Sequence, residues 1–364
     1  MQRRQFSVMI KPVGSLCNLN CSYCYYHDKN QLLHIQEHIL SDTLLEKFIR
    51  DYFAAHSGKV VTFVWHGGEP SLAGIPFYEK VIRLQKRYCP QNVEVWNNLQ
   101  TNGTLLDDRW CEFLAENHFD VGLSIDGTEE IHNRFRGENT YQKVRETCFR
   151  LQRAGIQPDL LCTVTAETAK DPLLVYNQLK SFQTGWIQFI PIVIFDKDGN
   201  LTEDSVTAEA YGRFLCAIFD EWFEKDRDRL WVQIFAETFM KLRNQAPSLC
   251  TLAETCGQAV VLEHDGNVYA CDHFVFPEHC LGNIRDQSLL QIVSSEKLME
   301  FAQAKRDLSE KCLHCSWLKY CRGGCQKNRK HTAEGWITVL CEGYRMLFAH
   351  IVPRMEELIR AKRK

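Results

Sequence analysis

Short apolar runs alternate with longer stretches of helical periodicity through the first two thirds of the chain. Runs rich in Val, Ile, Phe and Trp at residues 6–11, 60–65, 93–100, 121–125, 159–165 and 186–191 read as strands. Between them apolar positions recur at helical spacing. One such stretch is 41–56, with Ser41 or Asp42 as N-cap, and another is 141–154, which stops at Gly155. Strands separated by helices are the signature of a parallel sheet, because parallel neighbours need a crossover connection. Six such units predict an α/β fold, a partial (β/α)6 TIM-like barrel, with an open α/β sheet as the competing arrangement.

The polar motifs fall just after the strand ends, where a parallel barrel places its chemistry. Cys17, Cys21 and Cys24 form a C-x3-C-x2-C run after the first strand, and His66-Gly67-Gly68-Glu69-Pro70 follows the second. Thr101-Asn102-Gly103 follows the third, and Ser124 with Asp126-Gly127 the fourth. Three thiols so close in sequence can meet at one metal centre but cannot close a four-iron cluster, which takes four ligands. The last iron is then ligated from elsewhere or left open for a small molecule. A zinc site would also want a fourth ligand, and His27 stands three residues beyond Cys24.

A link at 194–200 leads into helical patterns at 208–225 and 231–244, after which the character of the chain changes. Nine of its seventeen cysteines lie between Cys250 and Cys341. Apolar periodicity there is confined to a hairpin, 260–262 with 268–270, turned by Asp265-Gly266. This reads as a small domain held together by metal, followed by a helix over 336–360. Cys312, Cys315, Cys321 and Cys325 with Cys250, Cys256, Cys271 and Cys341 make eight thiols. They suffice for two four-iron clusters, or for two zinc sites with four thiolates each. The other six, Cys89, Cys111, Cys148, Cys162, Cys216 and Cys280, suit small buried hydrophobes.

The bulk numbers narrow the setting. With 364 residues, 45% hydrophobic and 24% charged, the chain has room for a larger domain, 1–235, and a smaller one, 236–364. A net charge of −3 gives no nucleic-acid footprint, and the basic end at 360–364 is a solvated helix terminus. Residues 8–10 are too short a run for a secretory signal, and no apolar stretch approaches the ~20 residues that span a bilayer. We therefore expect a cytoplasmic protein with no membrane partner. Thiols stay reduced there, so these cysteines are ligands before they are disulfides, and their number hints at an oxygen-poor setting.

The motifs together resemble a known family along nearly the whole chain. The Cys17–Cys24 run, with Tyr23 before its third Cys, and Gly67-Gly68-Glu69-Pro70 resemble the radical S-adenosylmethionine enzymes. The eight-thiol field resembles the SPASM extension of that superfamily. The segment Cys271-Asp272-His273-Phe274-Val275, with Pro277-Glu278 and Leu281-Gly282-Asn283, is similar to the anaerobic sulfatase-maturating enzymes. Those oxidise a Cys or Ser of a sulfatase to formylglycine.

The resemblance implies a partial barrel followed by a SPASM domain, with three [4Fe-4S] clusters and S-adenosylmethionine as cofactors. Cys17, Cys21 and Cys24 would hold the open cluster, and Tyr23, Gly68, Ser124, Arg136 and Val193 would contact S-adenosylmethionine. Cys250, Cys256, Cys271 and Cys325 would hold one auxiliary cluster, and Cys312, Cys315, Cys321 and Cys341 the other. Asp272 would be the base for the target thiol or hydroxyl, with Tyr26 and His66 on the substrate side. His66 is a departure, since the family pattern leads us to expect Gln there. The implied partners are an unfolded or nascent sulfatase polypeptide and an electron donor such as flavodoxin or ferredoxin, acting on a monomer.

Two alternatives stay in view. One is a SPASM maturase that forms a thioether or carbon–carbon crosslink in a ribosomal peptide. Such enzymes often carry an N-terminal recognition domain, for which a cluster motif starting at residue 17 leaves no room. The other is a zinc-stabilised interaction module, colourless and free of iron.

Overall fold

The computed structural model describes residues 2–26, 29 and 39–361. His27, the possible fourth zinc ligand, and the last three residues of the basic end lie outside them. Along the chain the strands are β1 (Ser7–Lys11), β2 (Val60–Trp65), β3 (Glu94–Thr101), β4 (Phe119–Ser124), β5 (Asp159–Val164) and β6 (Trp186–Pro191). They continue as β7 (Trp231–Val232), β8 (Ala259–Glu263), β9 (Asn267–Tyr269), β10 (Cys280–Asn283), β11 (Arg329–Thr332) and β12 (Gly335–Thr338). The six strands expected from the apolar runs are β1 to β6, displaced by at most two residues at an end.

The chain forms two compact units, one of Met1–Ser124, Gln142–Pro158 and Gly257–Ala302, the other of Ile125–Tyr141, Asp159–Cys256 and Gln303–Lys364. In the first, β1, β2, β3 and β4 run parallel in chain order. Helices Asp42–Ala55, Ile75–Tyr88 and Asp108–Glu116 supply the crossovers. Ser41 is the N-cap of the first helix, its hydroxyl accepting from Leu44 N–H, while Asp42 sits in the opening turn. That helix buries Leu44, Leu45, Phe48, Ile49, Tyr52 and Phe53, and Phe48 and Tyr52 meet Phe63 of β2 edge-on. Burial of that apolar face, more than helix propensity, is what fixes it.

The expected hairpin is β8 and β9, and it is not an isolated element. β8 lies parallel to β1, with Lys11 opposite Glu263, and β9 and β10 extend the same sheet antiparallel. Residues more than 240 positions along the sequence are thereby set beside the strand that leads into the Cys17–Cys24 loop.

In the second unit β5, β6 and β7 are parallel. Helix Ala208–Lys225 packs on the terminal helix Cys341–Ala361, where Phe219 meets His350 and Asp220 accepts from the same imidazole at 2.7 Å. Two expectations change here. The helix expected over 231–244 opens as the short strand β7 and is helical from Gln233 to Leu242. The helix expected from 336 starts only at Cys341. Trp336, Ile337 and Thr338 instead form β12 and pair with β11 through a turn closed by Gly335. Aromatic and β-branched residues suit a pleated strand better than a first helical turn.

Candidate functional site

Within the first unit the loop after β1 carries Cys17, Cys21 and Cys24, each partly buried. The loop after β2 holds its backbone, and the loop after β3 holds its side chains. Gly68 N–H donates to Gly14 O at 2.9 Å and Glu69 N–H to Leu16 O at 2.8 Å. A Cβ on Gly68 would stand 2.0 Å from Leu16 O, so only glycine permits this approach. What Gly68 approaches closely is thus the cysteine loop itself.

Glu69, with no exposed surface, ties the loops together. One carboxylate oxygen accepts from Ser71 N–H, the Ser71 hydroxyl and the Thr101 hydroxyl at 3.0, 2.6 and 2.7 Å. The other accepts from Asn102 N–H at 2.7 Å. Burial pushes the Glu69 carboxyl up, and these donors oppose it. Asn102 in turn donates to Asn18 Oδ1 at 3.0 Å and lies 3.7 Å from Cys17 Sγ. Replacing Glu69 by Ala strands these donors at roughly 1–3 kcal/mol each, so the variant should lose several kcal/mol in total. Anaerobic denaturant unfolding measures this, and Glu69→Gln, which keeps one acceptor oxygen, should lose less.

Asp272 follows β9 and is partly buried beside this loop. The Tyr25 hydroxyl donates to its Oδ2 at 2.7 Å, the Cys271 thiol lies 3.6 Å from its Oδ1, and Lys29 donates to its backbone carbonyl. Loss of solvent alone would raise the Asp272 carboxyl. The His273 imidazole, the Lys11 ammonium and the Tyr25 hydroxyl overcome that and hold it well below the usual carboxylate range. Asp272 is therefore held as the carboxylate.

Tyr26 donates to Glu263 Oε1 at 2.6 Å, and its ring lies under the ammonium groups of Lys11 and Lys29. Lys11, fully buried, has its Nζ 3.0 Å from His66 Nδ1. The same Nδ1 accepts from Gly67 N–H at 2.7 Å, so the ring proton resides on Nε2. Burial and the Lys11 charge bring His66 down to about 3, leaving it neutral at physiological pH. Tyr25, Tyr26, Lys11, Lys29, His66 and Asp272 thus form one connected group. Sequence reasoning missed Tyr25, Lys11, Lys29 and Glu263, although a lysine closing an apolar strand is a readable signal.

The expected S-adenosylmethionine contacts fall in both units. In the first, Tyr23 is buried and Ser124 closes β4 with its hydroxyl accepting from Gln100 at 3.2 Å. In the second, Arg136 is paired two-pronged with Asp126 at 2.7 and 3.1 Å, and Val193 is buried in the loop after β6.

Two further thiol groups belong to the second unit. Cys312, Cys315, Cys321 and Cys341 line a cavity of about 210 Å³ together with Trp317 and Tyr344. Four cysteines lining one cavity match in number and type the donors of a fully ligated four-iron cluster. Cys250, Cys256 and Cys325 lie within electrostatic reach of the Lys305 ammonium. Cys271, the fourth member expected for this set, belongs to the first unit.

The family description "Radical SAM superfamily" matches residues 12–177, and "Iron-sulfur cluster-binding domain" matches 238–316. Fold and site together define a radical S-adenosylmethionine oxidoreductase, an α/β partial barrel with a C-terminal SPASM domain. The chain is 41% identical to the serine-type anaerobic sulfatase-maturating enzyme of Bacteroides thetaiotaomicron, over 96% of this chain and 90% of that one. It is 33% identical to the cysteine-type enzyme of Clostridium perfringens, over 96% and 97% of the two chains. A solved structure of anSMEcpe with bound AdoMet and the Cp18Cys peptide matches with a TM-score of 0.90 and 33% identity, covering 99% of each chain. The chain belongs to the anaerobic sulfatase-maturating enzymes. Membership brings [4Fe-4S] clusters in place of zinc, and the crosslinking alternative is not favoured.

Proposed function

We propose that this enzyme oxidises a Cys or Ser side chain of a sulfatase polypeptide to Cα-formylglycine. Full-length similarity to maturating enzymes of both types carries the reading. Cys17, Cys21 and Cys24 would hold the open cluster, with Tyr23, Gly68, Ser124, Arg136 and Val193 around S-adenosylmethionine. Cys250, Cys256, Cys271 and Cys325 would hold one auxiliary cluster, and Cys312, Cys315, Cys321 and Cys341 the other. When bound, these groups supply the hydrogen-atom and one-electron chemistry that side chains cannot perform.

The protein's own part is acid–base and positional. Asp272 takes the proton of the target thiol or hydroxyl: its carboxylate is oriented by the Tyr25 hydroxyl, and the neighbouring cations that keep it ionised also keep it a weak base. Tyr26, anchored by Glu263, and His66, offering its Nε2–H, form the substrate side. The domains are 1–235 and 236–364. The enzyme works as a cytoplasmic monomer, with flavodoxin or ferredoxin as electron donor. No helix among the described residues is long and apolar enough to cross a membrane.

The test is anaerobic incubation with a Ser-type and a Cys-type sulfatase peptide, S-adenosylmethionine and a reductant, read by mass. The Ser peptide should lose two hydrogens, and the Cys peptide should also exchange its sulfur for oxygen. No mass change in either peptide would refute the reading.

A further inference from the structure

Lys305 has no exposed surface, and Arg329 is 7% exposed. Lysine is almost never wholly buried without an ionic partner, and stranding a charge in the interior costs several kcal/mol. Yet the described partners of both cations are backbone carbonyls. Lys305 Nζ donates to Cys250 O and, at 3.0 Å, to Thr251 O. Arg329 donates to Gly323 O and Lys305 O at 2.9 Å, to Arg322 O at 3.2 Å and to Asp307 O at 3.3 Å. Burial pushes both side chains' pKa down, and carbonyls alone could be met by a neutral amide donor, so these hydrogen bonds do not explain why a Lys and an Arg stand here.

The arrangement is also built in. Gly323 adopts φ +74°, and a Cβ there would stand 2.4 Å from Leu308 Cδ2 and 2.6 Å from Arg329 Nη2, so glycine leaves room for both side chains. The groups within electrostatic reach that become negative on binding iron are cysteine thiols. For Lys305 they are Cys256, Cys250 and Cys325; for Arg329 they are Cys256 and Cys325 together with Cys312 and Cys321. Lys305 thus faces one auxiliary set, whereas Arg329 reaches members of both.

We propose that Lys305, with Arg329 behind it, sets the reduction potential of the auxiliary cluster held by Cys250, Cys256 and Cys325. This rests on the ligand sets given under Proposed function. One-electron reduction adds one negative charge to a cluster that four thiolates already make anionic. A fixed cation in a low-dielectric interior stabilises that added charge and makes the reduced form easier to reach. The cations act through the cluster and touch no substrate, so they are positioning residues. The anion of the cluster is, reciprocally, what makes their burial tolerable.

The test is an anaerobic redox titration followed by electron paramagnetic resonance, with Cys17, Cys21 and Cys24 changed to Ala so that only auxiliary clusters contribute. Lys305→Gln should move one midpoint to more negative potential, and Lys305→Arg should restore it. Arg329→Gln should move both midpoints. Unchanged potentials in a variant that retains its iron overturn the proposal. Loss of iron in both Gln variants, repaired by Lys305→Arg, overturns it in favour of a purely structural role. Fewer than about eight irons per chain in the parent would instead refute the two auxiliary clusters themselves.

Discussion

Asp272→Asn is expected to lower formylglycine production by roughly 10²–10⁴-fold, the range for losing a positioned general base, with iron held at about twelve per chain. Asn matches Asp in shape, and its carbonyl oxygen can still accept from the Tyr25 hydroxyl that now holds Oδ2 at 2.7 Å. What vanishes is the charge and the capacity to take up a proton. The loss should therefore appear in turnover of bound peptide more than in peptide affinity, a split that single-turnover kinetics resolves. Since Lys11 and Lys29 lose their nearby counter-charge, a modest drop in stability should accompany it. Full turnover by the variant would remove Asp272 from the role of base.

Changing any one of Cys17, Cys21 and Cys24 to Ala should abolish S-adenosylmethionine cleavage and lower iron from about twelve to about eight per chain. The three thiols sit in one loop pinned by Gly68, Glu69 and Asn102, and an open cluster with two remaining ligands is not expected to persist. The auxiliary sets use other thiols, so iron should fall by a third. Iron counting beside a cleavage assay reads both effects. An unaltered iron content would mean that the loop is not a ligand set.

The strands β1 to β6 were legible because most are apolar runs of strand length between turn residues, β3 with its Asn97, Asn98 and Gln100 being the exception. Trp336–Thr338 misled for the reason such segments do: a few apolar residues ahead of a long helix look like its first turn. The cysteine sets were readable as spacing, which is local. The surroundings of Asp272 were not. Its contact with Tyr25 joins residues 247 positions apart, and the Tyr26–Glu263 bond spans 237. Those meetings depend on β8 pairing with β1, a register no local pattern encodes. The part played by Glu69 was hidden differently, because a glutamate within a glycine-rich turn looks the same whether it faces a ligand or its own backbone.

The cysteines outside the three ligand sets have a bearing on how this protein fails in air. Cys111 and Cys148 are buried, and burial pushes their thiols up to about 11 and about 12; half-buried Cys216 is likewise pushed up to about 11. Cys162 is buried too and raised further still. Thiols so reluctant to ionise are poor targets for peroxide and alkylating agents, which react with thiolates. Oxidative damage would spare these four and fall on the partly exposed Cys89 and Cys280 and on the cysteines of the three ligand sets, most of which retain some solvent exposure. The thiols packed in the core are thus expected to outlast the exposed ones when the protein meets air.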